Sequence, residues 1–128
     1  MISSEIARVS GASEVFAGGI VSYMYSVKTK LLNISADDLK KYGAVNKETA
    51  EKMAISGRAK LDCDYCVSTT GIAGPNKDEF NTEVGTVYIA CASENDCVCE
   101  ELKLKGSRQE IREQSAQKAL ELLKNSLK

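Results

Sequence analysis

Val84-Gly85-Thr86-Val87-Tyr88-Ile89-Ala90-Cys91-Ala92 is a run of β-branched, aromatic and small apolar residues interrupted by a single glycine. Apolar on both alternating faces, it reads as the central strand of a sheet covered on two sides. Glu94-Asn95-Asp96 makes a turn, and Val98 to Lys105 returns as a hairpin partner. In that partner Val98, Leu102 and Leu104 alternate against Cys97, Cys99, Glu101 and Lys103, which predicts one wet face and a place near a charged sheet edge.

Toward the N-terminus, Tyr65-Cys66-Val67-Ser68-Thr69-Thr70 reads as a second strand running into Gly71-Ile72-Ala73-Gly74-Pro75. There the glycines and the chain's one proline force a loop that continues to about Asn81. Asn46 is placed to cap a helix through Ala50, Met53, Ala54 and Ala59 toward Leu61, whose small apolar face suits close packing on a sheet. Before it, Ser35 caps and Gly43 stops a shorter helix, and Ser26 to Leu32 forms a helical turn. Val15 to Tyr23 reads as a buried strand weakened by the pair Gly18-Gly19, after an amphipathic start that ends between Ala7 and Gly11. Toward the C-terminus, Ser107-Arg108-Gln109-Glu110 matches a capping box, and Ile111, Ser115, Ala116, Ala119, Leu120, Leu122, Leu123 and Leu127 form the stripe of a long helix. Strands, amphipathic helices and one hairpin together give an α/β fold, layered, with a mixed sheet.

At 128 residues, with 43% hydrophobic and 27% charged residues, the chain fits one folded domain, residues 1–128, with a single core. The net charge of -1 supplies no general attraction to nucleic acid or to an anionic membrane. No apolar run reaches the roughly 20 residues of a membrane span, and the first residues lack a signal-peptide pattern, so a cytoplasmic location is expected. Five cysteines, an odd number, point to free thiols in a reducing compartment. With no histidine, histidine-based triads, dyads and metal sites are excluded, leaving lysine, tyrosine or a carboxylate as the available base.

Two glycine-containing strand ends, Thr70-Gly71 and Gly85-Thr86, are positioned to present backbone amides and a hydroxyl to a ligand, or simply to allow tight turns. Tyr23 and Lys28 stand five residues apart at the end of the first predicted strand, where their side chains could converge. A lysine acts as a base only where its surroundings depress its pKa. Cys63-Asp64-Tyr65-Cys66 has zinc-ligand spacing and Cys97-Val98-Cys99 does not. Both pairs fall on predicted strands rather than knuckle turns, so thiols rather than metal ligands are expected. Arg108 and Arg112 open the last helix, as phosphate contacts or as solvated charges.

Gly11-Ala12-Ser13-Glu14-Val15-Phe16, Gly18-Gly19-Ile20-Val21-Ser22-Tyr23 with Lys28, Gly43-Ala44-Val45-Asn46, Thr70-Gly71-Ile72-Ala73-Gly74-Pro75, Val84-Gly85-Thr86-Val87 and Gly106-Ser107-Arg108 with Arg112 resemble, in order and spacing, the CinA C-terminal domain. The resemblance covers essentially the whole chain. It implies a three-layer α/β/α domain that hydrolyses nicotinamide mononucleotide to nicotinate mononucleotide and ammonia in pyridine-nucleotide salvage, without metal or other cofactor. It also implies Lys28 as base and Tyr23 as proton relay. Thr70, Gly71, Gly85 and Thr86 would line the pocket, with Asn46 where the family usually has serine, and Arg108 and Arg112 would contact phosphate.

The family's nucleophilic serine lies in a Glu-Ser-Cys-Thr-Gly-Gly block that closes its first strand. The resemblance places Met1-Ile2-Ser3-Ser4 in the helix after that block, so the first family strand and the serine are absent from these residues. Inactivity of the 128 residues alone is the expectation. The expected partner is nicotinamide mononucleotide or a related nucleotide, and a homodimer could form across the sheet edge left by the absent strand; no nucleic acid and no membrane are expected. The alternative is a non-catalytic nucleotide-binding or assembly module.

Overall fold

The structure, a computed structural model, describes residues 1–127. Helix α1 spans Ile2–Ala7, a 3-10 turn Ala12–Glu14, α2 Tyr25–Leu32, α3 Ala36–Tyr42 and α4 Lys47–Leu61. Strands β1 (Cys66–Gly71), β2 (Thr86–Ala92) and β3 (Cys97–Lys103) follow, and α5 (Arg108–Ser126) ends the fold.

The expected caps set the helix ends. Ser35 accepts from the Asp38 amide and Asn46 from the Thr49 amide, while Ser107 and Glu110 form the reciprocal capping box of α5. Each satisfies amide donors that the first turn of a helix leaves free.

The three strands lie in the order β1-β2-β3, antiparallel throughout. The α/β class and its three layers are therefore present, but the parallel pairing of a mixed sheet is not found among the described residues. Cys66, Ser68 and Thr70 share a face with Ala90, Ala92, Cys97 and Cys99 by register, and α4 packs there. Its buried positions Ala50, Ala54 and Gly57 recur at helical spacing. A methyl group added at Gly57 would come 2.8 Å from Cys66 Sγ, so the missing side chain sets how closely helix and sheet approach. The other face carries Val87, Ile89 and Cys91 against Ile111, Ala119 and Leu122 of α5. Burying Ile89 and Ile111 completely contributes about 2–3 kcal/mol each.

Two further expectations are corrected. Val15 to Tyr23 is not a buried strand. It has no ladder partner among the described residues, although burial alternates along it, with Phe16, Gly18, Ile20 and Ser22 inward and Val15, Ala17, Gly19, Val21 and Tyr23 outward. The apolar pattern specified extended backbone, but a strand also needs a neighbour at hydrogen-bonding distance. In β3 the wet and covered faces are not cleanly divided. Cys97 and Cys99 are half-buried beside α4, and Leu102 packs toward α5, while Val98 is exposed. No helix among the described residues is long and apolar enough to cross a membrane.

Gly85 sits at the base of the hairpin with φ +93°. Its amide donates to the Ile72 carbonyl at 2.7 Å and its carbonyl accepts from Leu104 N at 2.8 Å, and a Cβ there would overlap the Leu104 carbonyl. Gly11 has a similar φ of +89° but open space around it. In urea unfolding, Gly85→Ala is expected to lose about 3 kcal/mol or more, from strain plus overlap. Gly11→Ala should lose only about 1–2 kcal/mol, from strain alone. Equal losses would contradict the packing role assigned to Gly85.

Candidate active site

Helix α2 starts after extended Met24 and stops at Asn33, whose left-handed backbone ends the helix. Within it Lys28 is buried, with 7% of its surface exposed. Its amine donates to the backbone carbonyl of Ser22, at the inward end of the extended segment. No ion pair among the described residues includes Lys28. Burial without an opposite charge favours the neutral amine, and desolvation lowers its pKa from the ordinary 10.5. The shift is in the direction that a base requires, toward the neutral amine, and the place is sheltered.

Tyr23 is not brought to that amine. At 81% exposure it occupies an outward position of the extended segment, one residue beyond inward-facing Ser22. A proton relay needs its hydroxyl within hydrogen-bond reach, and the alternation along the segment turns it the other way.

The remaining candidates fall into two groups. The first surrounds the corner between α3 and α4. Asn46 accepts from the Thr49 amide and donates to Gly43 O at 3.0 Å, and Thr70 Oγ1 donates to Ala44 O at 2.7 Å. These polar groups of Asn46 and Thr70 already serve the fold. The second group lies at the base of the β1–β2–β3 sheet. Gly71 leaves room for Val87 and for the Thr86 carbonyl, Thr86 Oγ1 accepts from Lys103 Nζ at 3.1 Å, and Arg108 donates to Gly74 O at 2.6 Å. Arg112 lies one turn along α5 and, among the described residues, donates to Gln109 at 3.2 Å on its own helix, whereas Arg108 is engaged by the loop. Because the capping box already satisfies the start of α5, a phosphate would meet guanidinium groups there rather than free helix amides.

Several residues that position this region lie outside the set expected from sequence. Asp78 closes the 72–85 loop by accepting from Phe80 N, Thr82 N and Thr82 Oγ1. The Phe80 ring lies where a side chain at Gly43 would be, and Tyr25 donates to Glu79 at 3.1 Å. Tyr25 stands three residues before Lys28, a helical spacing that puts both on one side of α2 and was the available clue. Five thiols are free, and burial pushes Cys66 and Cys97 up to about 11, which keeps them protonated and unreactive. A cleft of about 650 Å³ between α1 and α5, lined by Met1, Ser4, Glu113 and Leu120 among others, includes none of the candidate residues.

The buried amine has a measurable linkage. Its pKa is lower folded than unfolded, so between those two values the unfolded chain binds more protons and the folded state gains stability as pH rises. Below that window the burial cost is present in full. The stability of the native chain relative to Lys28→Met is therefore expected to rise as pH climbs toward the unfolded value of 10.5. Parallel denaturation series would check this, and a difference that stays flat over that climb would contradict the buried-amine assignment.

The sequence pattern of the CinA C-terminal domain matches residues 1–127. A CinA-like protein of Prochlorococcus marinus strain MIT 9215 is 49% identical over 96 residues, covering 75% of this chain and 23% of that protein. One from Thermosipho melanesiensis is 43% identical over 129 residues, covering 99% and 32%. The chain thus spans a third or less of such relatives. Among solved structures, a competence-damaged protein (CinA) superfamily protein from Escherichia coli superposes with a TM-score of 0.94 at 25% identity, over 98% of this chain and 73% of that one. The competence/damage inducible protein of Agrobacterium tumefaciens gives 0.90 at 31% identity, over 95% and 75%. From the matched pattern, the relatives and the shared architecture, this chain belongs to the CinA C-terminal domain family.

Proposed function

We propose that this domain supplies the base and the pocket walls of an amidohydrolase that converts nicotinamide mononucleotide to nicotinate mononucleotide and ammonia. The observation that carries the proposal is the Lys28 amine, buried, hydrogen-bonded to one carbonyl and without an opposite charge. In this scheme a serine hydroxyl supplied from outside residues 1–128 gives its proton to the neutral amine and attacks the carboxamide carbon. The lysine ammonium then protonates the departing nitrogen, ammonia leaves, and water releases the acid from the serine ester. Arg112, with Arg108, is the candidate contact for the nucleotide phosphate. The setting is cytoplasmic nucleotide salvage.

A second reading, a nucleotide-binding or assembly module without turnover, is favoured by one observation. Tyr23 stands away from Lys28. In that reading the outer edge of β1, which pairs only with β2 among the described residues, would join a second copy into a dimer.

Ammonia release from nicotinamide mononucleotide separates the two. The 128 residues alone are expected to release none above background. The same residues joined to an upstream segment carrying the Glu-Ser-Cys-Thr-Gly-Gly block are expected to turn over, and Lys28→Ala in that longer protein should lose about a hundredfold or more of kcat. A folded longer protein that binds the nucleotide without releasing ammonia would reject the amidase in favour of the binding module.

A further inference from the structure

Around the corner Gly43-Ala44, three contacts converge that the proposed chemistry does not use. Phe80 of the 72–85 loop occupies the space above Gly43. Thr70 of β1 donates to the Ala44 carbonyl. Tyr25, at the start of α2, is tied beside the same corner, since it donates to Glu79, the neighbour of Phe80. Inside the loop, Asp78 ties Phe80 and Thr82 together, so residues 78–82 form a closed turn that would move as a unit. Two contacts tie that unit to the helices, the Phe80 ring at Gly43 and the hydrogen bond from Tyr25 to Glu79.

The helical spacing of Tyr25 and Lys28 gives this bond a consequence. Residues three apart lie on one side of a helix, with side chains leaning toward its N-terminus. Lys28 leans that way, since its amine meets the carbonyl of Ser22 before the helix begins. By that spacing, a loop held by Tyr25 is on the lysine's side of α2. We propose that the Tyr25–Glu79 hydrogen bond is a latch that holds the 72–85 loop as a wall of the Lys28 site, making Tyr25 and Glu79 positioning residues. This rests on Lys28 lying in a site, as in the function proposed above, but its test needs no turnover.

The experiment is amide hydrogen exchange on the whole chain and on Tyr25→Phe, which keeps the ring and removes only the donor. Tyr88→Phe is the control, because it deletes an equivalent hydroxyl–carboxylate bond, 2.9 Å to Glu101, on the sheet. Exchange across 72–85 is expected to quicken about threefold to tenfold in Tyr25→Phe, the range for loss of one net hydrogen bond, and to stay at the native rate in Tyr88→Phe. Glu79→Ala should give the same quickening, and the double variant no more than either single one. Reductive methylation read by mass spectrometry should label Lys28 faster in Tyr25→Phe than in the native chain. Unchanged loop exchange in Tyr25→Phe, or additive effects in the double variant, would overturn the latch. A loosened loop with unchanged Lys28 labelling would overturn its role as a wall. Because ammonia release enters neither readout, failure here is distinct from failure of the amidase reading.

Discussion

The close approach of α4 to the sheet is the constraint from which the arrangement follows. Ala50, Ala54 and Gly57 present almost no side chain, and Ala90 and Ala92 answer them from β2. At that separation Ser68 Oγ reaches the carbonyl of Ala50 at 2.6 Å, and one strand position pair further Thr70 reaches that of Ala44 at 2.7 Å. Two buried strand hydroxyls thus pin both α4 and the corner before it, in a place where an unpaired hydroxyl or carbonyl would cost about 1–3 kcal/mol. Once the corner is fixed, Gly43 receives Phe80, and Tyr25 of α2 meets the adjacent Glu79 of the loop. The site is made by helix-to-sheet distance as much as by any single reactive group.

Lys28 stands out in this frame because its burial carries a cost. A buried ammonium without a carboxylate carries a desolvation cost that one carbonyl hydrogen bond does not offset. Proteins tolerate such a group by letting it lose its proton, which is also what a general base at neutral pH requires. Thr70, Thr86 and Asn46 are the reverse case. Each already makes a hydrogen bond within the fold through its side chain, which ties it to the architecture of the region.

Much of the fold was legible because its signals are local. Ser35, Asn46 and the Ser107/Glu110 pair cap the helices that their spacing announced, and the β2–β3 hairpin follows its turn residues. What failed depends on neighbours distant in sequence. The apolar residues of Val15 to Tyr23 specified an extended segment, but not whether another strand lies beside it, and strand composition did not disclose that every pairing would be antiparallel. The site was legible to a smaller degree. Lys28 was singled out by family resemblance, since nothing in its local sequence distinguishes a buried lysine from a solvated one. Tyr23 was grouped with it because five residues looked short enough to converge, an inference that the outward turn of the extended segment undoes. Tyr25 has a partner, Glu79, on a loop whose path the sequence does not state, whereas Asp78 closes a local turn on Phe80 and Thr82 of the kind that an Asp side chain can announce.

The central claim concerns the charge on one nitrogen, and it can be observed directly. Labelling lysine side chains with ¹³C at Cε and following the Lys28 signal through an NMR pH titration reports its ionisation in the folded protein. A midpoint clearly below the ordinary 10.5 is the predicted result. A midpoint at or above that value would mean that the amine keeps its proton at neutral pH, and would contradict its role as the base of this site.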